Sequence, residues 1–208
     1  MKKALFIVAL AFVATAFTGC ITATLLMSKA SSDEKDEIKS GKVFQIERAT
    51  VEYATGEVLS FKDYGKYIRI DKLNGDFLII TPTKAYEGTK SSKTYREQKN
   101  NNGEFYYSDR SYVFPTKWFR LDKFADDLIG DTNNRETLRT VAGKTCTAFR
   151  DDDQGYEVAG YERIYMYKEE NKDVARRALN MNSSCNVEFT VPSDFTKESG
   201  NIAYGERF

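Results

Sequence analysis

The sequence predicts a mainly β (α+β) domain, an antiparallel meander with one or two helices packed on it. Three observations predict it. Aromatic side chains are abundant, with 13 Tyr and 14 Phe against 3 Pro, a balance that suits a pleated surface. Asn-Gly stands between branched and aromatic runs at Asn74-Gly75 and again at Asn102-Gly103, where it would supply the φ > 0 of a type I′ hairpin turn. Several predicted strands are apolar on both faces, whereas a sheet wetted on one side alternates apolar with polar. Each face then needs a cover, a helix on one side and a concave interior or ligand on the other.

Taken in order, the chain begins with Met1-Lys2-Lys3 and an uncharged stretch from Ala4 to Phe17. A basic start, an apolar run and small residues before Cys20 make residues 1–19 a signal peptide. The ending Phe17-Thr18-Gly19-Cys20 resembles the lipobox of bacterial lipoproteins, which implies lipidation of Cys20 and a lipid-anchored mature N-terminus in the cell envelope. Two features depart from that pattern. Phe17 stands where an aliphatic residue is usual, and residues 21–27 stay uncharged, so 4–27 is also long enough for a single-span inner-membrane anchor. Both alternatives put Lys2 and Lys3 on the cytoplasmic side. Ile21 after the cysteine favours the outer membrane, facing the periplasm, by resemblance to enterobacterial sorting. Residues 20–41 read as a polar tether: Ser31 and Glu34 can form a capping box, but no apolar stripe accompanies it.

The β-rich domain is expected over 42–208. Residues 43–53 and 57–63 read as strands around Thr55-Gly56, and 67–70 and 77–80 as a hairpin around Asn74-Gly75. A further hairpin would join 93–96 to 105–107 around Asn102-Gly103, and another would join 145–150 to 158–167 around Gln154-Gly155. A helix is expected over 117–129, with Trp118, Leu121, Phe124, Ala125 and Leu128 on one face, Thr116 as cap and Gly130 as stop. A shorter one is expected over 173–181, with Val174, Ala178 and Met181 aligned and Arg176-Arg177 outside. Residues 185–191 alternate again, with Val187, Phe189 and Val191 facing one way and Pro192 ending the strand. The chain from Ser193 reads as loosely ordered.

Composition narrows the function. Lys plus Arg and Asp plus Glu are 31 each. Without the leader's two lysines the mature part is −2, which gives no support for nucleic-acid binding. Histidine is absent, removing His-based triads and the commonest transition-metal ligand. With Cys20 lipidated, Cys146 and Cys185 are an even pair in an oxidising compartment, which predicts a disulfide. Closing that loop of about 40 residues would contribute roughly 4 kcal/mol.

No constellation points to catalysis. Asp151-Asp152-Asp153-Gln154-Gly155 with Glu162 fills positions one, three and twelve of a calcium loop, but the sixth holds Tyr156 where Gly is needed. It reads as a solvated hairpin tip. Asp126-Asp127 would sit near a helix end, where Arg135 or Arg139 could pair with it, and a solvated end explains it as well. There is no phosphate-binding Gly loop, Gly-x-Ser-x-Gly turn or zinc-type Cys spacing. The expectation is a non-enzymatic protein with no cofactor and no metal. Tyr161, Tyr165 and Tyr167 would share one strand face with Ile164 and Met166 on the other, making the tyrosines candidates to line a ligand groove. Core packing is their alternative role.

The order lipobox, tether, meander, helix, Gly143-Lys144-Thr145-Cys146 strand and a last strand ending at Val191-Pro192 resembles the periplasmic half-barrel proteins typified by the Lol lipoprotein carrier and its receptor. It is also similar to exported proteins of unknown function with this arrangement. The resemblance covers most of 42–192 and carries no lipid-binding residue onto a numbered position. It implies a curved antiparallel sheet, half-barrel-like, whose helix-lidded apolar cavity takes acyl chains. The functional expectation is a membrane-anchored lipoprotein that binds a lipid or other hydrophobic ligand. The alternative is a scaffold or assembly subunit engaging other envelope proteins through strand edges.

Overall fold

The computed structural model describes residues 36–106, 135–151 and 155–202. The chain divides into two units, Met1–Glu37 and Ile38–Phe208, and every strand among the described residues belongs to the second.

Two meanders make one sheet. The first runs through β1 (Ala49–Tyr53), β2 (Val58–Lys62), β3 (Tyr67–Asp71), β4 (Phe77–Ile80), β5 (Lys84–Thr89) and β6 (Thr94–Lys99). The second runs through β7 (Arg135–Val141), β8 (Lys144–Asp151), β9 (Tyr156–Tyr161), β10 (Ile164–Glu170) and β11 (Asp173–Asn182). β11 returns to pair antiparallel with β1, which fuses the two. The short β12 (Thr196–Lys197) adds in parallel to β6, giving a 12-stranded order β12-β6-β5-β4-β3-β2-β1-β11-β10-β9-β8-β7. The Cα atoms of β7 also come within 8 Å of β11, although three strands lie between them in the sheet order.

The mainly β character expected from the sequence is what forms, and the Asn74-Gly75 hairpin falls where expected. Its turn is of another kind: Gly75 has φ 83° while Asn74 stays at negative φ, and the Gly75 N–H donates to the Lys72 carbonyl at 2.8 Å. Gly155 likewise lies in the β8–β9 connection, just before β9.

Several expected elements are corrected. The helix over 173–181 is instead β11. Ala178 and Met181, three apart, suit a helix face, but a bulge in the β1–β11 register lets both face inward from a strand. Asn102-Gly103 makes no hairpin. Residues Asn101–Gly103 form a 3-10 turn, and a Cβ on Gly103 would lie 2.2 Å from the Lys39 carbonyl oxygen, so a close backbone crossing requires the glycine. β6 pairs with β5, and Phe105 and Tyr106 are buried beyond the turn. The run 158–167 is two strands, broken at Glu162-Arg163. Residues 43–48 precede β1 without joining the ladder, and Ile38 is only 1% exposed, so the folded domain reaches further toward the N-terminus than residue 42. The helix over 117–129 and Asp126-Asp127 lie outside the described residues.

Apolar side chains do occupy both faces. β4 is buried along its whole length: Leu78 and Ile80 enter the main core, while Phe77 and Ile79 enter a second cluster on the opposite face. The main core joins Ala49, Val51, Leu59, Phe61, Ile68, Ile70 and Ala85 to Cys146, Ala148, Ile164 and Met166 of the second meander. The second cluster is covered by residues 185–195, whose Cys185, Val187, Phe189, Val191 and Phe195 lie against Tyr67, Phe77, Ile79 and Tyr86. The expected alternation of 185–191 is therefore present, but this strap forms no ladder. Residues 194–202 are tied down: Lys93 pairs with Asp194 at 3.0 Å, Lys197 with Glu97 at 3.3 Å, and the Ile202 N–H donates to Gln98 Oε1 at 3.3 Å.

Candidate binding cleft

Residues 42–48 cross one end of the sheet. The Phe44 N–H donates to the Tyr64 carbonyl at 2.9 Å, between β2 and β3, and the next residue, Gln45, donates to the Glu162 carbonyl at 3.2 Å, between β9 and β10. Tyr64 N–H donates in turn to the Glu47 carbonyl at 2.9 Å. Val43 and Phe44 are fully buried, and Phe44 stacks on Phe61 with ring centroids 4.1 Å apart. Two apolar residues thus pin the crossing from inside and three backbone bonds pin it from the rim.

Next to this crossing opens a cleft of about 370 Å³ lined by Ile46, Glu47, Arg48, Lys144, Tyr161, Met181 and Ser183. Its floor is apolar. Met181 belongs to the main core, and Ile46 and Tyr161 pack against it. Its rim is polar: Arg48 pairs with Glu47, and the Lys144 ammonium lies 5.6 Å from the centroid of the Tyr161 ring. Strand ends supply the lining, Lys144 opening β8, Tyr161 closing β9 and Met181 next to last in β11. Small-molecule sites span about 300–1,000 Å³, apolar with a few placed polar groups. This cleft is at the small end of that range, and its lining is mixed: Ile46, Tyr161 and Met181 are apolar or aromatic, while Glu47, Arg48, Lys144 and Ser183 are charged or polar. Its lining offers the Ser183 hydroxyl, two cations and one carboxylate, and its volume suits a small ligand.

Of the three candidate tyrosines, only Tyr161 reaches the cleft. The expectation that they share a face is corrected by a bulge between Tyr165 and Tyr167 in the β9–β10 ladder. Tyr165 lies with Val158, Phe149 and Tyr156 in a separate cluster, and burial pushes its hydroxyl well above the ordinary tyrosine range. Its backbone carbonyl accepts a hydrogen bond from the Tyr53 hydroxyl at 2.9 Å. Tyr167 lies in the main core with its hydroxyl donating to Glu169, and the Arg139 guanidinium stands 3.6 Å from its ring centroid. Arg139 also pairs with Glu157. These two tyrosines build structure.

The expected disulfide is not formed: Cys146 and Cys185 are free thiols. Cys146 is fully buried in the main core, whereas Cys185 packs in the strap cluster on the opposite face, so the sheet stands between them. Burial raises the Cys146 thiol above its ordinary pKa. Cys20, the leader and the tether to residue 35 lie outside the described residues, as do Asp152, Asp153 and Gln154 of the acidic tip. Among the described residues, no helix is long and apolar enough to cross a membrane, and no three His, Cys, Asp or Glu are grouped to hold a metal ion.

Sequence reasoning missed Ile46, Arg48, Lys144, Met181 and Ser183. No local pattern marks them, because they converge only where β8, β9 and β11 end beneath the crossing segment. Met181 does carry a signal, its apolar register, but that register fits a helix as readily as a bulged strand.

No protein-family model matches this chain, and no curated protein is similar to it. Among solved structures, it is similar to an uncharacterized conserved protein from Thermus thermophilus, with a TM-score of 0.42 and 11% identity over 80% of this chain and 98% of that one.

Proposed function

We propose that this is a membrane-anchored cell-envelope protein whose domain binds a small hydrophobic or amphipathic ligand without transforming it. The observation that carries the reading is the cleft: about 370 Å³, floored by Ile46, Tyr161 and Met181 and open at the rim. A volume near the low end for ligand sites suits one short chain or one ring better than a multi-acyl lipid. Lipidation of Cys20, with residues 20–37 as spacer, supplies the anchor in this reading, and the outer membrane is its proposed location.

A curved, half-barrel-like sheet is part of the proposal. A flat sheet would put β7 four spacings of about 4.8 Å, roughly 19 Å, from β11. The approach of their Cα atoms to within 8 Å favours curling. So does the crossing segment, whose consecutive residues Phe44 and Gln45 reach turns on the two meanders; consecutive Cα atoms are only about 3.8 Å apart.

The test is purification of the full-length protein from its own envelope, followed by native mass spectrometry. The expected result is a bound small molecule on the wild type that is lost from Met181→Trp, which fills the cleft. Equal ligand occupancy in both, with both folded, would sink the reading. The scaffold alternative has one observation in its favour: β7 ends the sheet without a further strand among the described residues and exposes 75% of Leu138. Site-specific cross-links from Leu138 to one recurring envelope protein would support it.

A further inference from the structure

We infer that the cleft selects a small amphiphile with a single anionic head, a carboxylate or phosphate, over neutral and cationic analogues of the same chain. This rests on the cleft being the binding site proposed above. The argument is the charge inventory of its lining. Two cations, Arg48 and Lys144, face one acid, Glu47. Glu47 is already engaged by Arg48. Among the described residues, Lys144 forms no ion pair, and its contact there is the face of Tyr161. A cation held over an aromatic face beside an apolar floor keeps its charge available to an incoming anion while the ring receives the aliphatic part. Ser183 adds a hydroxyl on the same rim, a donor for a second head-group oxygen. The apolar and charged halves of the lining thus match the two halves of one amphiphile. Neither a free anion nor a plain hydrocarbon would use both.

The experiment titrates the full-length protein in detergent with hexanoate, hexyl phosphate, hexanol and hexylamine. Binding is read from the methyl resonances of Met181 and Ile46. Hexanoate or hexyl phosphate should bind saturably, at least fivefold tighter than hexanol and tighter still than hexylamine; the stronger of the two anions identifies the head group. Lys144→Gln should bring the preferred anion to within twofold of hexanol. Equal binding of hexanol and both anions, or an unchanged preference in Lys144→Gln, overturns the anion selectivity while leaving the cleft as a site. If no compound moves either methyl, the cleft reading itself fails and the selectivity falls with it.

Discussion

Glu162 and Arg163 turn β9 into β10 with φ of 51° and 66°, a left-handed conformation that ordinary side chains avoid at a cost of about 1 kcal/mol or more each. Asn enters that region readily. Glu162→Asn should therefore raise stability by about 0.5–1 kcal/mol, seen as a higher midpoint in thermal or urea unfolding. A lower midpoint would mean that the Glu162 side chain itself holds the turn. This is also why the break was illegible: Asn74-Gly75 announces a turn through its chemistry, while Glu162-Arg163 is imposed by the two strands it joins. The cysteines give a second test at this scale. Protein purified without reductant should yield alkylatable thiols at both Cys146 and Cys185 after unfolding. In the native state Cys146 should react far more slowly, because burial raises its pKa and shields it. Recovery of a 146–185 bridged peptide would contradict the structure. Even parity of cysteines carried no information about which face each occupies.

The strap over 185–195 shows what element-level reading can and cannot recover. The two-residue alternation of Val187, Phe189 and Val191 is visible in the sequence, and it correctly reports which side chains are covered. Whether the backbone joins a ladder depends on the neighbour, and here the neighbour is a sheet face. Phe189 is 8% exposed between Tyr67 and the rest of that cluster. Phe189→Ala should cost about 3 kcal/mol in urea unfolding. A cost below about 1 kcal/mol would mean that the strap contributes little. The strap's far end is clamped by Lys93–Asp194 and by Glu97, which Lys84 and Lys197 both approach. Hydrogen bonds from Lys84 and then Lys197 hold the Glu97 carboxyl below its ordinary range, and Lys93 does the same for Asp194. A depressed folded pKa means that the folded state binds fewer protons than the unfolded. The clamp is therefore fully present above the ordinary carboxylate pKa of about 4 and is lost as pH falls through the folded values. Amide exchange of residues 194–198 should accelerate below about pH 4 relative to β4, more so in high salt, which screens exposed pairs. Protection unchanged down to pH 3 would show that packing alone holds this end.

At the scale of the whole molecule, the sequence made the β class legible because propensity, hairpin signals and two-faced strands all agree. It hid the joining of two meanders through β11, since that pairing links residues more than a hundred positions apart and leaves no local mark. The cleft was hidden for the same reason: its lining comes from four separate places on the chain. Export is a separate question, and the proposed lipid anchor at Cys20 is tested directly. Metabolic labelling with palmitate should mark the wild type and not Cys20→Ala; an unlabelled wild type that retains all 208 residues would favour the single-span anchor instead. The central claim is that the rim cleft is where this domain holds its ligand, and photolabelling tests it most directly. A short alkyl diazirine should insert into peptides carrying Ile46, Tyr161 and Met181, with labelling abolished in Met181→Trp. Labelling concentrated elsewhere, and equal in wild type and Met181→Trp, would contradict it.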